Sequence, residues 1–177
     1  TEWAVNLSTN DNDLVRADFT EELPRGKYTL RLAFERPYER RGTGLYKVVY
    51  GGEAYLFTQM EPEFARRAFP CFDEPGFKIP WTLELSVPTN VMAVANMPLA
   101  GEETVEGRRR FRFKQSPPMP SYLVAFAVGP FEQTPVEGMS VPGRILVPRG
   151  QSGRTGLAAK MTPRVLQPLE DYFSIAY

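Results

Sequence analysis

The run LYKVVYGGEAYLFTQ, residues 45–59, decides the fold class. Two segments rich in Tyr, Val and Phe flank Gly51-Gly52, a pair that accepts the positive φ angles of a tight hairpin turn. The run is therefore expected to form two strands, 45–50 and 54–59, the second delivering Thr58, Gln59 and Glu61 to its end. Outward from this hairpin the pattern repeats. Over residues 81–87, Trp81, Leu83, Leu85 and Val87 alternate with Thr82, Glu84 and Ser86, the signature of a strand with one buried face. Residues 91–95, 103–114, 122–128, 131–136 and 144–147 continue it, with Gly101 and Gly107 placed for turns. Short strands punctuated by Gly and Pro, with little helix, predict a mainly β, antiparallel β-sandwich-like domain.

Toward the N-terminus, the first ten residues carry little pattern. Residues 14–19 and 27–34 are expected to be neighbouring strands around a Pro24–Gly26 turn, since Tyr28, Leu30, Leu32 and Phe34 share one face at period two. Residues 35–44, charged and broken by Pro37, Gly42 and Gly44, predict a solvent loop. Residues 62–69 suit a short helix: Pro62 fits a first helical turn, Phe64 and Ala68 lie four apart, and Pro70 stops it. After Pro148, RGQSGRTG (residues 149–156) looks like a linker, which divides the chain into a β-rich domain, 1–150, and a linker with a first helix, 151–177. In that second part Leu157, Met161, Val165 and Leu169 recur at helical spacing. Pro163 stands either at a first turn capped by Thr162 or at a kink.

Composition narrows the chemistry. Lys plus Arg equals Asp plus Glu at 21 each, so no net field draws the chain to nucleic acid or an acidic bilayer. RRRFRFK, residues 108–114, fits a strand with Phe111 and Phe113 inward and the guanidinium groups in water better than a phosphate track. No apolar run approaches the roughly 20 residues that a membrane helix requires, and TEWAVNLSTN lacks the regions of a signal peptide. One cysteine makes no internal disulfide and marks no compartment. The absence of histidine excludes Ser/His/Asp triads, Cys/His dyads and HExxH zinc sites within this sequence.

The unusual chemistry is concentrated in TQMEPEFARRAFPCFDEPGFK, residues 58–78. Glu61, at a strand end beside a rigid proline, is a fixed acceptor for a cation such as an ammonium group, and Gln59 shares its face in an extended segment. Spacing alone favours the plainer alternative, in which Glu61 pairs with Arg66 or Arg67. Asp73 and Glu74 invite an acid/base pair, but Asp before Glu-Pro-Gly reads as turn chemistry. Cys71, between Pro70 and Phe72, reads as a small buried hydrophobe, since no histidine exists to activate it.

The block TQMEPEFARRAFPCFDEPGFKIPWTLEL resembles the signature of the N-terminal domain of aminopeptidase N-like zinc metallopeptidases, the gluzincin aminopeptidases. GLYKVVY before it and the strand at 122–129 are similar to that domain too, and the likeness extends more loosely from Gly42 to Tyr177. The resemblance implies a saddle-like β-structure closing one side of an active site. It also implies that Glu61 binds the free α-amino group of a peptide N-terminus and that Gln59 lines the pocket for the first side chain. Zinc, the HExxH glutamate and the GxMEN motif would belong to a following catalytic domain, the expected partner. None of them is in this sequence, so no residue here is expected to be catalytic or to bind metal, and the chain is expected to be inactive alone. LEDYFSIAY, residues 169–177, resembles the start of that catalytic domain, and the family has further strands before the equivalent of Leu14. The chain therefore reads as a piece of a longer enzyme. A free-standing β-sandwich module that binds protein or glycan through its loops is the alternative. A carboxylate-only hydrolase using Asp73 and Glu74 is a third reading, against which the turn chemistry at Asp73 stands.

Overall fold

The computed structural model describes residues 5–9 and 14–177. These belong to two compact units, Thr1–Pro37 and Tyr38–Tyr177. The parts of the N-terminal stretch TEWAVNLSTN at residues 1–4 and 10 lie outside the described residues.

In the first unit β1 (Val5–Thr9) pairs antiparallel with β2 (Val15–Phe19), Val5 opposite Phe19 and Thr9 opposite Val15. The partner of 15–19 is thus the stretch that carried little pattern, and residues 27–34 form no strand. Alternation supplies a face, but a strand also needs a backbone neighbour. Here Tyr28 turns back to donate its hydroxyl to the Pro24 carbonyl, and Tyr28, Leu30 and Phe34 remain exposed.

The second unit is built on the expected hairpin. β3 (Gly44–Tyr50) and β4 (Glu53–Gln59) run antiparallel from Tyr50 opposite Glu53 to Gly44 opposite Gln59. Gly51 and Gly52 take φ of 58° and 79°, the two positive angles that a two-residue turn matched to strand twist requires. With β6 (Met92–Ala95) and β9 (Phe126–Gly129) they form a four-stranded sheet in the order β3-β4-β9-β6. β5 (Glu84–Pro88), β7 (Leu99–Val105) and β8 (Arg108–Phe113) form a second sheet in the order β5-β8-β7. Val87, Phe111 and Phe113 from one sheet and Ala93 and Val128 from the other share a single buried cluster, so the two inner faces make the core. Trp81 to Val87 alternates in burial as expected, although ladder pairing begins only at Glu84. Gly101 sits at a register shift inside β7 rather than in a turn.

In β8 the rings point inward while Arg109, Arg110 and Arg112 meet carboxylates across the strands. Arg109 pairs with Glu102 at 2.7 Å, Arg110 with Glu84 at 3.3 Å, and Arg112 with Glu103 at 2.6 Å. β10 (Phe131–Val136) and β11 (Gly143–Pro148) form a separate antiparallel pair. The helix α1 (Gly156–Phe173) runs along them and contains both Pro163 and Pro168. It starts after Thr155, about two turns before Thr162, so the alternative with a Thr162 cap does not hold, and the Thr162 hydroxyl donates back to the Ala158 carbonyl. Leu157, Val165 and Leu169 on α1 are exposed. No helix among the described residues is long and apolar enough to cross a membrane.

Candidate functional site

Gln59 is the last residue of β4 and Glu61 follows it across Met60, with the Glu61–Pro62 peptide bond cis. Burial along this tripeptide runs exposed, buried, exposed. Met60 is 2% exposed and packs with Ala65 and Val124, and Trp81, Phe69 and Met119 border that cluster. A side chain this enclosed fixes its own backbone, so the two polar residues on either side are held while they remain open to solvent.

Two further devices hold the end of β4. Backbone pairing of β4 with β9 covers Leu56 opposite Val128 and Phe57 opposite Ala127. At the next position the Thr58 hydroxyl takes over: it accepts from the Phe126 amide at 3.0 Å and donates to the Phe126 carbonyl at 3.2 Å. Gly44, opposite Gln59, has φ of 65°, and a Cβ there would come within 3.1 Å of Arg67 Cβ. Glycine lets the following turn close against the strand end.

That turn is tighter than the expected helix over 62–69. Phe64 N donates to the Met60 carbonyl at 2.8 Å, and only Ala65–Arg67 is helical, as a 3-10 turn. The cause is visible in the hydrogen bonds. In an α-helix the Arg66 amide would reach back to Pro62, but it donates to Asp73 Oδ2 at 3.1 Å. Arg66 Nε joins it on the same oxygen at 3.0 Å, Arg66 Nη2 donates to the Asp73 carbonyl at 3.2 Å, and the Ser121 hydroxyl donates to Asp73 Oδ1 at 2.6 Å. The Asp73 side chain is 3% exposed. Burial alone would raise its carboxyl pKa, but the Ser121 hydroxyl and the Arg66 amide and guanidinium favour the ionised form and hold it below the usual carboxylate range.

Asp73 is therefore a buried anchor and not part of the turn, which spans Glu74 to Phe77. Arg66 pairs with Asp73 and lies 3.9 Å from Glu63, and Arg67 stacks over the Phe64 ring at 4.8 Å. The pairing of Glu61 with Arg66 or Arg67 that spacing favoured is absent: the ion pairs of the described residues do not include Glu61. Cys71 is half-buried rather than buried, and packs against the Met60 cluster. Loss of water and the neighbouring Asp73 carboxylate push its thiol up to about 11, against weaker opposing effects of Arg66 and Ser121.

Thr58 and Ser121 were missed by sequence reasoning. Each is a lone hydroxyl whose partner lies 68 or 48 residues away, and no local spacing carries that information. Among the described residues no group of three His, Cys, Asp or Glu side chains could hold a metal ion.

Residues 2–123 match the family described as Peptidase M1 N-terminal domain. Among curated proteins, the chain is 35% identical over 175 residues to Aminopeptidase M1-A of Oryza sativa subsp. japonica, covering 94% of this chain and 20% of that protein. It is 34% identical over 175 residues to Aminopeptidase M1 of Arabidopsis thaliana, with the same coverage. It is 35% identical over 158 residues to human Glutamyl aminopeptidase, covering 86% of this chain and 16% of that protein. The chain spans about a fifth or less of the length of the curated relatives it matches.

Proposed function

The chain belongs to the peptidase M1 family as an N-terminal domain, and from that premise we propose that it is the substrate-anchoring part of a zinc-dependent aminopeptidase. Glu61 receives the α-ammonium group of a peptide, Gln59 lines the pocket for the first side chain, and a catalytic domain of the same full-length protein is the partner. The division into a β-rich anchoring domain, 1–150, and a linker with first helix, 151–177, belongs to the same reading. One observation carries it: Glu61 is an exposed carboxylate at a rigidly held strand end, and both nearby arginines are engaged elsewhere. A carboxylate without an internal cation is electrostatically available to an ammonium group.

In this reading the chemistry of bond cleavage belongs to the catalytic domain, and this chain alone has no peptidase activity. Its own part is binding and orientation. An ammonium held at Glu61 places the first peptide bond at a fixed distance from the anchor, which favours removal of single N-terminal residues.

The test is Glu61→Gln in the full-length enzyme, with an amino-acid anilide as substrate. Loss of a charge-assisted contact of about 2–3 kcal/mol lowers kcat/KM by about 30- to 150-fold. An unchanged kcat/KM sinks the assignment.

A further inference from the structure

The buried carboxylate of Asp73 has no part in the anchoring scheme, yet it is the most completely bonded side chain near it. Four hydrogen bonds tie Asp73 to Arg66 and Ser121, three of them involving Arg66. Asp73 cannot touch a substrate, because its side chain is 3% exposed. What it does control is Arg66, a potential competitor for Glu61. Arg66 is five residues beyond Glu61, its side chain is 32% exposed, and its guanidinium comes within 3.9 Å of Glu63 on the same turn. Spacing alone would pair it with Glu61. Asp73 takes the Arg66 amide and Nε on one oxygen, and its backbone carbonyl takes Nη2.

We propose that Asp73 is a positioning residue that withholds Arg66 from Glu61 and so keeps the anchor open to the substrate ammonium. The inference rests on the anchoring role of Glu61. The geometry explains why a cation five residues along the chain from Glu61 does not pair with it. The fork of Arg66 is satisfied by Asp73, whose side chain is 3% exposed, and Ser121 fixes that carboxylate in turn. Neutralising Asp73 removes the attraction that holds Arg66 back, and a tethered guanidinium then competes with substrate for Glu61.

The full-length enzyme carrying Asp73→Asn tests this. KM for an amino-acid anilide should rise about fivefold, the upper range for a partly exposed ion pair, while kcat changes little. Adding Arg66→Gln should bring KM back toward the wild-type value, since no cation remains to compete. A merely structural role predicts the opposite, a further loss in the double variant. In a Glu61→Gln background, Asp73→Asn should have no effect on KM.

Should Asp73→Asn not fold, Arg66→Lys against Arg66→Gln asks the same question with Asp73 intact. A lysine keeps the charge but cannot reproduce the fork, so Lys should raise KM more than Gln. Unchanged KM in Asp73→Asn, no recovery in the double variant, or equal KM for the Lys and Gln variants overturns the proposal. If Glu61→Gln itself leaves kcat/KM unchanged, the anchoring reading fails instead, which separates the two.

Discussion

Thr58→Val should destabilise the end of β4 through hydrogen bonding alone, because valine has nearly the shape of threonine. The Thr58 hydroxyl makes two bonds to Phe126, to its amide at 3.0 Å and its carbonyl at 3.2 Å, where the β4–β9 ladder has already stopped. Each neutral bond contributes about 0.5–1.5 kcal/mol net, and an amide left without a partner in a partly buried position costs about 1 kcal/mol or more. Water can reach part of this site, since Thr58 is half-buried, so the combined loss is about 2 kcal/mol. For a chain of 177 residues that corresponds to a fall in Tm of about 4–8 °C. Thr58→Ser keeps the hydroxyl and should lose less than half as much. Differential scanning calorimetry of the wild-type chain and both variants at one pH measures this. A Thr58→Val Tm within 1 °C of wild type, or a Thr58→Ser loss equal to that of Val, refutes the claim that this hydroxyl substitutes for the missing ladder pair.

Two predictions follow from the groups with displaced pKa values. The Cys71 thiol, pushed up to about 11, is protonated at neutral pH, so alkylation by iodoacetamide in the native chain should be slow near pH 8 and accelerate steeply toward pH 10, or on unfolding in denaturant; rapid native alkylation at pH 8 contradicts the burial argument. The Asp73 carboxyl is lowered in the folded state, so its contribution to stability is fully present above the unfolded carboxylate value and is lost as pH falls through the folded one. The difference in urea midpoint between the wild-type chain and Asp73→Asn should therefore shrink between about pH 5 and pH 2, and a difference independent of pH over that interval rejects it.

The hairpin at 45–59, the one-sided alternation of 81–87 and the inward rings of 108–113 were legible because each is a local pattern. Glycines at a two-residue turn and a period of two state the answer within a dozen residues. The strand expected at 27–34 shows what the same reasoning lacks: Tyr28, Leu30, Leu32 and Phe34 define a face, but nothing in them names the neighbour that would complete a ladder. The short helix expected at 62–69 is present but shorter, Ala65–Arg67, and of the 3-10 type. Proline position and the spacing of Phe64 and Ala68 allow an α-helix, but the Arg66 amide is taken by a carboxylate seven residues on, and the segment tightens to a 3-10 turn. In the candidate site, the placement of Gln59 and Glu61 at the end of a strand was legible. The partner of Arg66 was not, because three carboxylates, Glu61, Glu63 and Asp73, were all within reach in sequence.

What separates those carboxylates is burial. An ion pair between exposed groups is worth little, so Glu61 or Glu63 would hold Arg66 weakly. Asp73 sits out of water between Ser121 and the 3-10 turn, where a carboxylate left unpaired would be costly, and the pair is therefore held firmly. The same enclosure continues through Val124 and Ala65 to Met60, all 2% exposed or less. Among Glu61, Glu63 and Asp73, Glu61 is thus the one for which the fold supplies position but no cation. Position is determined on one side by Met60 and the β4 ladder and on the other by Pro62 and the turn that Asp73 closes. A site meant only to stiffen the chain would have paired Glu61 with the arginine five residues away. Here that arginine is bound elsewhere, and the arrangement leaves an oriented negative charge facing solvent.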